Sequence, residues 1–138
     1  MVTNLFSQTP AARDMGYCVC EALRKRVTFS QVGTAVVVGV LPARALIVGG
    51  GIFVTQAFNG TGMTANVGHA DTTAVPAAYA SAISVAALGY IALDELAAVT
   101  NTRSAVERTI TVTVTATAAT TGDAEVIILF VNDHEGNR

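Results

Sequence analysis

The chain has 138 residues, 51% of them apolar but only 6% aromatic, with no tryptophan and a formal net charge of −2. That length fits one domain large enough to bury a core, and the acidic balance excludes a domain-wide basic footprint for nucleic acid. Charged residues make up only 13% of the chain, so little charged surface is available to hold neighbouring molecules apart; this favours an exterior covered by other protein chains over a monomer with a neutral, threonine-rich coat.

Residues 1–25 carry clustered charges, Arg13, Asp14, Glu21, Arg24 and Lys25, and no sustained apolar period. They read as an N-terminal arm or outer strand. The opening MVTNLFSQTP has neither the basic start nor the apolar run of a secretory leader. The one basic cluster, Arg24-Lys25-Arg26, reads as a solvated edge. Cys18 and Cys20 would share a face of an extended segment, where a disulfide between them is strained. An intermolecular disulfide and half a metal site are the functional readings; two small buried apolar side chains are preferred.

The domain proper is expected over residues 26–132, with a polar tail at 133–138. Residues 26–32, RVTFSQV, alternate as a first strand, broken by Gly33. Residues 34–40 hold the run AVVVGV, expected as a strand buried on both faces or lying at a subunit contact. Leu41-Pro42-Ala43 is a turn, residues 44–48 a short strand, and Gly49-Gly50-Gly51 a turn built on positive φ angles. A phosphate loop is rejected there: a strand-like run follows instead of a helix, and no lysine stands close behind.

Residues 52–58 form the next strand, ending in the turn signal Asn59-Gly60-Thr61-Gly62, and 63–68 return as another. A loop is expected over 69–75. Pro76 is expected to open a short helix over the alanine-rich residues 77–82, with a strand over 83–88 as the competing reading. Residues 90–93 are a short strand and 94–98 one helical turn. Two long uncharged stretches are too interrupted by glycine, proline and polar residues, and too acidic at their flanks, to span a membrane.

The centre of the chain is TITVTVTAT, residues 109–117, with threonine at every odd position and Ile110, Val112, Val114 and Ala116 between. Side chains alternate along a strand, so this gives one dry face and one hydroxyl face. A six-residue loop leads to AEVIILFV, residues 124–131, and the two runs read as a hairpin. Seven or eight short strands in all argue for an all-β sandwich or jelly roll with at most one short helix. The last strand is apolar on both faces, so one face fills the core and the other needs covering. Val126, Ile127, Ile128, Leu129, Phe130 and Val131 are therefore the expected self-association residues.

No catalytic constellation is visible. His69 and His134 read as solvated loop and tail histidines, and Cys18, Cys20, His69 and His134 lack the short paired spacings of a zinc site. Asp71, Asp94, Glu95 and Asp123 include no pair marked for acid–base work, and sugar platforms are scarce without tryptophan. The serines lie outside any nucleophile elbow. The chain is expected not to be an enzyme and to need no cofactor or metal.

From Leu41 onward the order of pieces resembles small virion proteins of tailed bacteriophages. The pieces are Leu41-Pro42-Ala43, Gly49-Gly50, Phe53-Val54, Ala57-Phe58-Asn59, Val67-Gly68, Asp71, Tyr79, and the runs 109–117 and 126–131. The resemblance implies a head decoration or cement protein: a β-sandwich, trimeric by preference and otherwise dimeric, that sits on the capsid surface and bridges major capsid protein subunits. Arg13, Tyr17, Arg24, Lys25 and Arg26 are the expected capsid contacts. A carbohydrate-binding jelly roll on a tail or head fibre is the alternative.

Overall fold

The computed structural model describes residues 20–71, 73–98 and 101–132. It contains eight strands: β1 Cys20–Thr28, β2 Ala35–Leu41, β3 Leu46–Gln56, β4 Thr61–His69, β5 Val75–Ser84, β6 Gly89–Ala92, β7 Arg108–Thr117 and β8 Asp123–Val131. They form two four-stranded sheets, ordered β1-β8-β3-β6 (sheet A) and β2-β7-β4-β5 (sheet B). Every ladder is antiparallel. β1 pairs with β8, β2 with β7, β3 with β6 and β4 with β5. The first four strands thus lie against the last four as one long ribbon. The ribbon is rolled so that β8 also meets β3 and β7 also meets β4, the arrangement of a jelly roll. Among the described residues, no helix is long and apolar enough to cross a membrane.

The core lies between the sheets. From β7 it takes Ile110, Val112 and Val114, and from β8 Val126, Ile128 and Phe130. Ile47, Ile52 and Val54 of β3 and Ala65 and Val67 of β4 complete its centre. The alternation in the two closing runs delivers one face of each strand to this layer.

The two closing strands do not form the expected hairpin. β7 is central in sheet B and β8 is central in sheet A, so residues 118–122 cross the sandwich instead of turning within one sheet. Asn59 fixes this crossing: its Oδ1 accepts from the N–H groups of Thr120 at 2.7 Å and Thr121 at 2.9 Å. Local sequence does not separate the two outcomes, because a hairpin and a crossing both join two alternating runs through a polar loop.

Other elements depart from expectation for stated reasons. The first strand begins at Cys20 and ends at Thr28, after which Phe29–Gln31 makes a 3-10 turn; Gln31 Oε1 accepts from the Thr28 N–H at 3.1 Å. The boundary expected at residue 25 therefore falls inside β1. Strand β2 is not buried on both faces within the chain: Val36 and Val38 are buried, whereas Val37 and Val40 are exposed at this edge of sheet B, as the alternative of a subunit contact would require. The alanine-rich stretch is strand, not helix. Ala78, Tyr79, Ala80 and Ile83 are buried in the core, and pairing with β4 overrides alanine's helix propensity. Pro76 sits near the start of this edge strand, where a missing donor is tolerated. The competing strand at 83–88 also fails, since β5 ends at Ser84. Cys20 is exposed, not buried.

The triple glycine is not a turn. Residues 46–56 form one continuous strand, with a register shift between Ile47 and Gly49 against β8. Gly50 has φ +118°, and a Cβ there would lie 2.1 Å from the Ile127 carbonyl oxygen. Glycine lets the β3 backbone close on β8 at this point. Gly50→Ala is expected to lower stability by at least about 3 kcal/mol, because backbone strain and a clash with main chain combine. Gly33→Ala, at φ +80° with open space around it, is expected to cost only about 1 kcal/mol. Urea denaturation of the two variants checks the ranking.

Candidate assembly surface

The outward side of sheet A is laid out in rows by strand register. Cys20, Val131 and Leu46 form one row; Ala22, Leu129 and Gly49 the next; Arg24, Ile127, Gly51 and Ala92 a third; Arg26, Glu125, Phe53 and Tyr90 a fourth. Val126, Ile128 and Phe130 point the other way and are buried. They belong to the core and leave Ile127, Leu129 and Val131, each half-buried, as the part of the expected self-association set that faces outward. Phe53 at 43% exposure, Val48 at 50% and Tyr90 at 54% extend the apolar area. The Tyr90 ring lies over Gly51, where a Cβ would come within 2.8 Å of it.

One end of this face is charged but internally neutralised. Arg24 pairs with Glu125, and Arg26 donates from Nε to both Asp123 oxygens at 2.9 and 3.0 Å. Hydrogen bonding from Arg26 holds the Asp123 carboxyl below its ordinary range. Lys25 projects from the opposite side of β1 and is exposed. Arg13, Tyr17, Cys18 and His134 lie outside the described residues. The outward side of sheet B differs in kind: Thr113, Thr115 and Thr117 carry hydroxyls there beside Thr64 and Asn66, although Thr111 is only 6% exposed.

A partly buried charged corner sits where β4 ends and β7 begins. His69 closes β4 and is 6% exposed, not a solvated loop residue. Its Nδ1 lies 3.1 Å from Asp71 Oδ2, and Arg108 Nε lies 3.4 Å from the same oxygen. Both contacts are misaligned for hydrogen bonding. Asp71 Oδ1 accepts from the Thr109 N–H at 3.2 Å, and Arg108 Nη1 donates to the Tyr79 hydroxyl at 3.3 Å. The residues ring a depression of about 360 Å³ that Thr73, Val75, Thr102 and Val106 also line. The corner ties the loop after β4 to the base of β7. Sequence reasoning missed it because the three charged or titratable residues come from two distant segments. Asp94 caps the backbone instead, accepting from the Ser81 N–H at 3.0 Å. Among the described residues no group of three or more His, Cys, Asp or Glu is placed to hold a metal ion.

Three solved structures share this fold. A chain of the capsid of Ralstonia phage GP4 is 20% identical with a TM-score of 0.64, the match covering 85% of this chain and 86% of that one. A chain of the Cyanophage Pam1 capsid asymmetric unit is 18% identical with a TM-score of 0.62, covering 83% and 85%. A chain of the acidic stable capsid structure of Helicobacter pylori bacteriophage KHP30 is 15% identical with a TM-score of 0.62, covering 83% and 89%. At these identities the likeness establishes the fold. No protein-family model and no curated protein matches the chain.

The corner makes stability pH-dependent. Burial lowers the His69 pKa, the Arg108 charge lowers it further, and Asp71 opposes both. The unfolded chain then binds a proton more tightly than the folded one, so stability present above about pH 6.5 is lost as pH falls. Between pH 7 and 5 the melting temperature of the wild type is expected to drop more than that of His69→Gln. Equal slopes in thermal melts at the two pH values would refute this.

Proposed function

We propose that the chain is a structural virion protein that binds the outside of a tailed-phage capsid and stabilises it by bridging major capsid subunits. The observation that carries this is the match, over most of each chain, to chains in three phage capsid structures. Two features of the molecule support it. Arg24 and Arg26 on sheet A are paired with Glu125 and Asp123, and that face presents Ile127, Leu129, Phe53 and Tyr90 to a partner. We assign this face to the capsid, although the sequence pointed to its β8 residues for self-association, with Arg24 and Arg26 at its margin and Arg13 and Tyr17 in the preceding segment as further contacts. Adhesion needs no reaction: weak contacts repeated at the fixed spacing of a shell add up.

Cosedimentation with expanded, undecorated capsids tests the reading, set against a glycan array for the fibre-module alternative. Saturable binding at a fixed ratio to capsid subunits is expected, and Leu129→Glu is expected to abolish it while leaving the fold intact, since Leu129 points away from the core. Binding to a glycan without binding to capsids would overturn the proposal.

A further inference from the structure

Strand β1 is the outermost strand of sheet A and runs for nine residues. Only β8 pairs with it among the described residues. Its backbone groups alternate between β8 and the open side. At its end, the Phe29 N–H bonds to the Gly122 carbonyl at 3.0 Å, on the β8 side, whereas the Thr28 N–H turns to Gln31. By that alternation Cys20, Ala22, Arg24 and Arg26 offer their N–H and C=O groups to the open edge. An edge this long is a template for another strand unless charge blocks it.

The charges on β1 favour one register. We propose that two copies of this chain pair their β1 strands antiparallel about a two-fold axis at Leu23. In that register Glu21 of each copy lies opposite Lys25 of the other, and Leu23 meets Leu23. Glu21 and Lys25 are both exposed. Glu21 has one polar partner, Asn132 Nδ2 at 3.2 Å, and Lys25 has no ion pair among the described residues. The arginines do not oppose the pairing, because Glu125 and Asp123 of their own copy neutralise them. Moving the axis to Arg24 would leave Glu21 facing Val27 and Lys25 facing Leu23, so neither charge would meet its opposite. Such an interface is isologous: each residue contact occurs twice. The occupant of the edge is therefore a second copy, selected by charge complementarity. This goes beyond the capsid reading and stands without it, since a dimer that ignores capsids and a monomer that binds them are distinguishable results.

Sedimentation equilibrium of the full chain tests the pairing. The wild type is expected to be a dimer at micromolar concentration. Glu21→Lys and Lys25→Glu are each expected to raise the dissociation constant about tenfold, as two attractive cross-strand pairs become repulsive. The double variant is expected to restore it. In a Cys18→Ser, Cys20→Ser background, Leu23→Cys should cross-link on oxidation, because directly opposed Cα atoms lie about 5 Å apart. Arg24→Cys should not, being roughly 8 Å from its symmetry mate. A chain monomeric throughout, a double variant no tighter than the singles, or cross-linking at position 24 in place of 23 would overturn the proposal. The monomeric result would include the case in which residues 1–19 cover the edge.

Discussion

The structure depends on two strands facing each other across the core with their alternation in phase. β7 is hydrogen-bonded on both sides in sheet B, and β8 on both sides in sheet A. Each sends every second residue inward, and these residues are almost entirely buried. A one-residue slip in either strand would exchange its faces, placing threonines in the core and Ile110, Val112 and Val114 in water. The large apolar inner set and the small polar outer set of β7 make that slip costly. The ribbon of eight strands is thereby locked in one register, and the remaining strands take their places on either side.

That same alternation makes the two exteriors unlike. The outward residues of β7 are hydroxyl-bearing, whereas those of β8 pass from Asp123 and Glu125 to Ile127, Leu129 and Val131. Neighbours sharpen the contrast. β3 contributes glycines at 49 and 51, which leave room for Leu129 of β8 and for the Tyr90 ring over Gly51. With so few charges in the chain, the arginines of β1 meet the acids of β8 directly, and the charged end of this face becomes electrically quiet. The exterior is thus apolar along the middle of β8 in sheet A and hydroxyl-bearing along β7 in sheet B, with Val37 and Val40 exposed at the β2 edge.

The fold class was legible because period-two patterning survives wherever one face is buried. Residues 109–117 and 124–131 show this most clearly, and their observed bounds differ by one residue each. The pairing of those strands was not legible, since a crossing loop and a hairpin loop of similar length carry the same polar residues. The alanine-rich stretch misled for a different reason. Its residues favour helix in isolation, and only partners far away in sequence hold it extended. Ala82 even takes φ +51° there, with its N–H held by Asn66 Oδ1 at 2.6 Å. The candidate surface was half legible. The two-sided run at 126–131 pointed to it, but Phe53 and Tyr90 join it through register alone. The His69 corner left no local signal, because Arg108 approaches Asp71 only after the ribbon has rolled.

Face and edge are geometrically compatible modes of association. A two-fold axis at Leu23, perpendicular to sheet A, keeps the outward faces of both copies on the same side. The paired sheets become one eight-stranded surface with the apolar rows of two protomers side by side. Against a shell that repeats its own contacts, such a dimer engages twice, and the second engagement is effectively intramolecular. Neither face needs to bind strongly alone, which suits a surface whose ionic groups are already paired and whose attraction comes from modest apolar area. In the proposed assembly the hydroxyl-bearing face of sheet B is left toward solvent, where a nearly uncharged coat is tolerable because a shell, not charge repulsion, would keep the copies apart.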